Sequence, residues 1–280
     1  MTTARTIAEV RERLREAERP VGLVPTMGAL HDGHLALLRH ARAANATVVM
    51  SLFVNPAQFA AGEDLAAYPR DGERDERLAA EAGVDVLFAP SASEMYPEGF
   101  ATAIEVAGLS EPLEGAARGA AHFRGVATVV AKLLNIVNPD VAYFGQKDAQ
   151  QVAVIRRMAR DLDMAAAIEV LPTVRAADGL ALSSRNAYLD GEDRVRAAGL
   201  WHALRAAAAL VEAGERERDV VAAAAEEALA REGIRAEYLA IVDPATIAEV
   251  DVIERPVMIA LAARIGKARL IDNIVANPPT

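Results

Sequence analysis

Residues 21–34 read Val21-Gly22-Leu23-Val24-Pro25-Thr26-Met27-Gly28-Ala29-Leu30-His31-Asp32-Gly33-His34, and this run decides the fold. The apolar stretch ending at Pro25 has the pattern of a strand covered on both faces, and the glycine turn after it leads into a helix beginning near Gly33. Such a junction aims unpaired backbone N–H groups and the positive end of a helix at one point, which suits a phosphate. His31 and His34 are two of five histidines in the chain. A spacing of three puts both on one face of a helical turn, where they can donate jointly to phosphate oxygens. The same junction recurs in α/β proteins whatever they bind, which leaves coincidence as a rival. A metal site is another, but zinc takes three or four ligands, the chain has no cysteine, and metalloprotease histidine pairs are spaced four apart.

Outward from this junction, apolar runs alternate with amphipathic ones. Ile7, Val10 and Leu14 share a face over residues 6–19, with Thr6 as the cap. Strands are predicted at 21–25, 47–53, 84–88, 141–144 and 168–171, and helices at about 34–45, 71–82, 124–137 and 148–162. Alternating β and α implies an α/β fold with a doubly wound, mostly parallel sheet. After Pro172 the alternation stops. Long Ala-rich helices at about 190–213 and 218–231 precede strand-like segments near 237–242, 257–263 and 267–275, the order of a smaller C-terminal α+β domain. The expected division is therefore 1–173 and 174–280.

With 280 residues, one large domain and a smaller partner is the expected arrangement. Apolar residues make up 52% but are dispersed among charges, and no stretch approaches the ~18 to 20 unbroken apolar residues of a membrane span. A charged amphipathic start in place of an apolar signal region points to a cytoplasmic protein. The absence of cysteine removes disulfides, thiol nucleophiles and iron–sulfur clusters. Thirty Lys and Arg against forty Asp and Glu give a net charge of −10, which opposes nonspecific binding to nucleic acid or anionic membrane. An anionic substrate must then be caught by a local cluster of donors. Only three basic side chains are lysines, Lys132, Lys147 and Lys267. Lys267 falls in a hairpin turn and Lys132 in an apolar helix, where it snorkels.

In open parallel sheets, ligands sit beyond the carboxyl ends of the strands, so the loops after strands are where chemistry belongs. Gly145-Gln146-Lys147-Asp148 follows a strand directly: Gly145 lets backbone approach a ligand, the Lys147 ammonium reaches phosphate oxygens, and Asp148 serves as a helix cap with or without a nucleotide. Leu182-Ser183-Ser184-Arg185-Asn186 offers two hydroxyls and a guanidinium, suited to a phosphate chain and equally to a plain loop between domains. Gln58 and the pair Gln150-Gln151 can donate and accept without charge, which suits a hydroxy acid whose carboxylate must stay nucleophilic; surface glutamines are the other reading, and Asn55-Pro56 is equally open.

Six motifs in order carry a family resemblance over nearly the whole chain: Pro25 to His34, Phe53-Val54-Asn55-Pro56 with Gln58-Phe59, Tyr68-Pro69-Arg70, His122-Phe123-Arg124-Gly125-Val126, Asn138-Pro139-Asp140 through Gln151, and Ser183-Ser184-Arg185-Asn186 with Tyr188-Leu189. The chain resembles the pantothenate synthetase (pantoate:β-alanine ligase) family of the nucleotidyltransferase superfamily, whose signature is a His-x-Gly-His helix start. The resemblance implies a Rossmann-like first domain, with the smaller domain closing over the active site. It also implies an ATP-dependent ligation of pantoate to β-alanine through a pantoyl adenylate, releasing pyrophosphate and AMP. By the same resemblance His34, His31 and Lys147 are catalytic. ATP is bound by Met27, Gly28, Ala29, Leu30, His31, Asp32, Gly33, His34, by Gly145, Gln146, Lys147, Asp148, by Val174, and by Leu182, Ser183, Ser184, Arg185. Gln58, Gln151 and Asn55 hold the substrates pantoate and β-alanine. Mg²⁺ bridges the phosphates, with Asp75 as a weak protein ligand, and closure of the second domain or of the loop around 60–75 shields the adenylate. A homodimer is implied, with no nucleic-acid or membrane partner. Many members carry Glu where this chain has Gln146, so that side chain has no role beyond its place in the loop. Another adenylyltransferase of the superfamily, or a non-catalytic ATP-sensing module, would share the strand and helix start.

Overall fold

The chain begins with a strand too short to leave a pattern in the sequence, β1 (Thr2–Ala4). It is followed by α1 (Ile7–Leu14), β2 (Val21–Thr26), α2 (Asp32–Ala44), β3 (Thr47–Leu52), α3 (Gly72–Glu81), β4 (Val86–Phe88), α4 (Ala92–Met95), α5 (Glu114–Arg118), α6 (Ala120–Val137), β5 (Val141–Gly145), α7 (Ala149–Asp161) and β6 (Ala167–Leu171). Then come α8 (Gly191–Ala197), α9 (Gly199–Glu212), α10 (Arg218–Arg231), β7 (Ala236–Val242), β8 (Val257–Ile265) and β9 (Ala268–Ala276). The computed structural model describes residues 1–59, 65 and 68–279. Two units are distinguished, one of residues 1–145 and 150–171, the other of residues 146–149 and 172–280. The division falls two residues before the expected boundary, and the four-residue segment around Lys147 goes with the second unit.

In the first unit six strands run in the order β1-β4-β3-β2-β5-β6, every pair parallel. The chain works outward from β2 to β3 and β4, then returns to lay β5 against the other side of β2. Strand order therefore reverses between β2 and β5, and in open parallel sheets ligands bind beyond the carboxyl ends of the strands at such a point. The sequence shows that strands exist but not their lateral order, because each is apolar on both faces and fits either neighbour. Val24, Val48, Met50 and Leu87 from the sheet pack with Leu30, Leu35, Leu38 and Ala41, each fully buried large side chain contributing about 1.5–3 kcal/mol. That burial seats α2 on the sheet and fixes the height of its first turn.

Thr6 caps α1 as expected, in a capping box with Glu9. The helix ends at Leu14 rather than 19, since Glu16, Glu18 and Arg19 before Pro20 supply no further apolar face. Asp140 joins the starts of three strands. Its carboxylate accepts from the Val21 N–H at 2.6 Å and from Arg19 Nε at 3.2 Å. Its backbone N–H donates to Val21 and its carbonyl accepts from Ala167. The Val21 N–H, more than Arg19, holds the Asp140 carboxyl below its ordinary range.

In the second unit β7, β8 and β9 form an antiparallel sheet in that order. Leu200, Leu204, Ala207 and Val211 of α9 and Val221, Ala225 and Leu229 of α10 pack with Ile259, Leu261 and Ala263 of β8. The helix expected over 190–213 is broken at Ala198, where hydrogen bonds from Ala198 to Val195 and from Trp201 to Ala198 tighten the backbone to i→i+3 spacing. Gly266 and Lys267 form the two-residue turn between β8 and β9, with Gly266 at φ +55°, so Lys267 has the hairpin place its neighbours suggested. No helix among the described residues is long and apolar enough to cross a membrane.

Because the Asp140 carboxyl is lowered in the fold, its contribution is complete above the ordinary carboxylate range and is lost as pH falls through the lowered value. Asp140→Asn is expected to lower the melting temperature at neutral pH and to narrow the gap to wild type in strong acid. Thermal unfolding of both proteins across that range measures it, and a gap that stays constant with pH would contradict it.

Candidate active site

Pro25 and Thr26 end β2, and the chain reverses through two consecutive left-handed residues, Gly28 at φ +84° and Ala29 at φ +51°. A Cβ on Gly28 would lie 2.8 Å from both Asp75 Oδ2 and Leu52 Cδ1, so space as well as φ requires glycine there. The turn is held from α3. Asp75 Oδ2 accepts the Ala29 N–H and Oδ1 the Leu30 N–H, each at 2.8 Å, while Arg74 donates to the Leu30 carbonyl at 2.9 Å.

The turn delivers His31 to the N-cap of α2, so the helix starts slightly earlier than the sequence pattern suggested. His31 Nδ1 accepts the Gly33 N–H at 3.1 Å, and His34 Nδ1 accepts the His31 N–H at 3.4 Å, a capping box built from two imidazoles. The ring centroids are 4.1 Å apart. A Cβ on Gly33 would lie 2.8 Å from His31 Cε1, so the glycine of the His-Asp-Gly-His run makes room for the first ring. Asp32, exposed in the first turn, adds a carboxylate at the positive end of the helix.

Beyond β3, Asn55 and Gln58 are buried at 1% and 7% exposure, which removes the reading of a surface glutamine at 58. Asn55 caps a 3₁₀ turn over Pro56–Gln58, donates to Gln58 Oε1 at 3.2 Å and to the Gly125 carbonyl at 3.1 Å, and accepts from Tyr96 at 2.7 Å. Burial pushes the Tyr96 phenol up to about 12 against that hydrogen bond, which keeps it a neutral donor. Gln58 Nε2 lies 2.9 Å from Met27 Sδ, so the Asn55–Gln58 loop meets the β2 turn. His122 supports the loop from α6: its Nε2 faces the Arg118 guanidinium at 3.0 Å, and its Nδ1 lies 2.8 Å from the Gln58 carbonyl. Arginine only donates, so Nδ1 carries the proton and donates to Gln58. A Cβ on Gly125 would lie 2.2 Å from the Ala57 carbonyl oxygen, so α6 packs directly on this loop. The two glutamines at the start of α7 differ. Gln150 is spent on the fold, donating to the Leu109 and Pro112 carbonyls and accepting the Glu114 N–H, while Gln151 is half-buried.

In the second unit, a 3₁₀ turn spans Gln146–Asp148, and Lys147 Nζ lies 3.2 Å from Asp148 Oδ1. Val174 and Leu182 are brought together by a backbone hydrogen bond of 3.0 Å across the loop between them. Ser183 caps a 3₁₀ turn over Ser184–Tyr188 by accepting the Arg185 N–H at 3.2 Å. Arg175, unnoticed in the sequence, stacks on Trp201 with 3.7 Å to the ring centroid and donates to both oxygens of Asp272 at 2.6 and 2.9 Å. Burial raises the Asp272 carboxyl above its usual range, against the opposing pull of Arg175. Thr173 Oγ1 and Asn186 Oδ1 are buried without a hydrogen-bond partner among the described residues, one beside Val174 and the other beside Arg185.

One assignment is corrected. Asp75 is 1% exposed with each oxygen on a backbone N–H, whereas Mg²⁺ keeps several waters and binds carboxylates that face them. Asp75 is a backbone anchor, not a magnesium ligand, and no group of three His, Asp, Glu or Cys among the described residues is arranged to hold a metal. Of the loop around 60–75, residues 60–64, 66 and 67 lie outside the described residues. Asp75→Ala is expected to destabilise the protein by about 1 to 3 kcal/mol for each N–H left unpaired. Urea unfolding measures this, and a loss below half a unit on the same scale would show that water replaces the carboxylate.

A profile of the pantoate-beta-alanine ligase family matches residues 2–275. The pantothenate synthetase of Heliobacterium modesticaldum is 56% identical over 268 residues, 95% of each chain. The crystal structure of pantothenate synthetase from Thermus thermophilus superposes with a TM-score of 0.93 at 50% identity, covering 99% of this chain and 100% of the other. The pantoate-beta-alanine ligase of Francisella tularensis, complexed with beta-gamma ATP and beta-alanine, superposes with a TM-score of 0.81 at 34% identity over 98% and 97% of the two chains. With a match this long at this identity, the chain belongs to the pantoate-beta-alanine ligase family.

Proposed function

We propose that this chain joins pantoate to β-alanine at the expense of ATP, forming pantothenate. A pantoate carboxylate oxygen attacks the α-phosphorus, an O–P bond forms, and pyrophosphate leaves. The β-alanine amine then attacks the acyl carbon of the adenylate, the C–O bond to AMP breaks, and the amine gives up its proton. The observation that carries this reading is the pair of imidazoles capping α2 beyond the carboxyl end of β2, where the sheet reverses.

Each Nδ1 accepts a backbone N–H, so a neutral ring carries its proton on Nε2 and can donate it to a phosphate oxygen. Phosphoryl transfer asks for positioning and for donors where negative charge develops, which His31, His34 and Lys147 supply. The run Met27–His34, Gly145–Asp148, Val174 and Leu182–Arg185 bind the nucleotide. Gln58, supported by Asn55 and His122, and Gln151 hold pantoate through neutral groups, which leaves its carboxylate nucleophilic where an arginine would blunt it. Mg²⁺ accompanying ATP would neutralise phosphate charge, with nucleotide oxygens and water as its main ligands, as that hard cation prefers. Homodimer assembly, implied by the family resemblance, and a cytoplasmic location belong to the same proposal.

Incubation with ATP and pantoate should release pyrophosphate, and AMP should follow only when β-alanine is added; an ATP sensor would release neither. His34→Ala is expected to slow pyrophosphate release by roughly 10²- to 10³-fold, the scale for losing one preorganised donor. A rate near wild type would remove His34 from the chemistry. Gln151→Ala is expected to raise the KM for pantoate more than that for ATP, and equal rises would displace it from the pantoate site.

A further inference from the structure

β9 places two polar residues side by side, Asp272 and Asn273, at 3% and 4% exposure. Buried amides are costly unless paired, so the partners of Asn273 show what it is for. All three hydrogen bonds of its side chain go to one segment. Nδ2 donates to the Gln146 carbonyl at 3.0 Å and to the Lys147 carbonyl at 2.8 Å, and Oδ1 accepts from Gln146 Nε2 at 3.1 Å. Both amide protons and the oxygen are thus committed to the turn that carries Lys147. The same strand residue is held from behind. Its N–H donates to Asp272 Oδ1 at 2.8 Å, and its carbonyl accepts from Arg175 at 3.2 Å.

We infer that Asn273 is a positioning residue for Lys147. By clamping the carbonyls of residues 146 and 147 it fixes the backbone from which the ammonium is presented, so that only side-chain torsions remain to be ordered when phosphate is bound. The Arg175–Asp272 pair, stacked on Trp201, keeps β9 and the amide in register. Gln146 acquires a purpose here that its side chain lacks as a ligand: it completes the clamp. The inference rests on the reading of Lys147 as a phosphate-binding residue.

A double-mutant cycle of Asn273→Leu, close to isosteric but without hydrogen bonds, and Lys147→Met separates the two ideas. The readouts are pyrophosphate release, the KM values for ATP and pantoate, and thermal unfolding. Asn273→Leu is expected to slow pyrophosphate release by about ten- to a hundredfold, the scale for a slightly misplaced group. It should raise the KM for ATP but not that for pantoate. In the Lys147→Met background the same change should cost less than about threefold, because the residue it positions is gone. Full multiplication of the two losses, or an Asn273→Leu protein with wild-type rate and ATP KM, overturns the inference while leaving Lys147 in place. A Lys147→Met protein of wild-type rate overturns the reading beneath it as well. If Asn273→Leu does not fold, Asn273→Ala carries the same cycle. Failure of both to fold makes Asn273 a folding requirement and overturns its assignment as a positioning residue.

Discussion

Ala29 sits at a φ of +51°, which a residue bearing a Cβ resists, and the carboxylate of Asp75 is what holds it there. Such a conformation costs about 1–3 kcal/mol. Two hydrogen bonds to a charged acceptor return roughly 1.5–3 kcal/mol each, so the anchored turn wins. Without the reversal through Gly28 and Ala29, the backbone leaving β2 would continue outward and His31 would not meet the start of α2. The capping histidines, the Met27 contact to Gln58 and the approach of the Asn55 loop all follow from that one geometry.

Charge imposes a second condition. A chain with a net charge of −10 repels a nucleotide at long range, so attraction must be local and preorganised. In the proposed site the first unit offers imidazole and helix N–H groups, and the loop beside them uses the uncharged side chains of Asn55 and Gln58, with a protonated Tyr96 donating to Asn55. Asp75, the acid that grips the turn, has its charge spent on backbone N–H groups.

Much of this was legible in the residue pattern because it is local. The cap of α1, the Gly266-Lys267 hairpin and the alternation of β and α each depend on neighbours within a few residues. The parts that escaped depend on distant pairing. Asp75 looks like any acid in the first turn of a surface helix until Ala29 and Leu30 are seen across 46 and 45 residues. Gln150 and Gln151 are alike in sequence, and only the carbonyls of Leu109 and Pro112 distinguish them. Arg175, Asp272 and Asn273 belong to no short motif, so nothing near them in the chain announced a network.

The hydrogen bonds from Asn273 to residues 146 and 147 span 127 and 126 positions, within a second unit that is discontinuous in sequence. A fragment starting at Pro172 would carry the three-stranded sheet but would leave a buried amide facing nothing, since four residues of its fold lie upstream. The Lys147 turn likewise has these two hydrogen bonds only once β9 is in place. Joining the two segments therefore carries the closure entropy of a contact that is long in sequence.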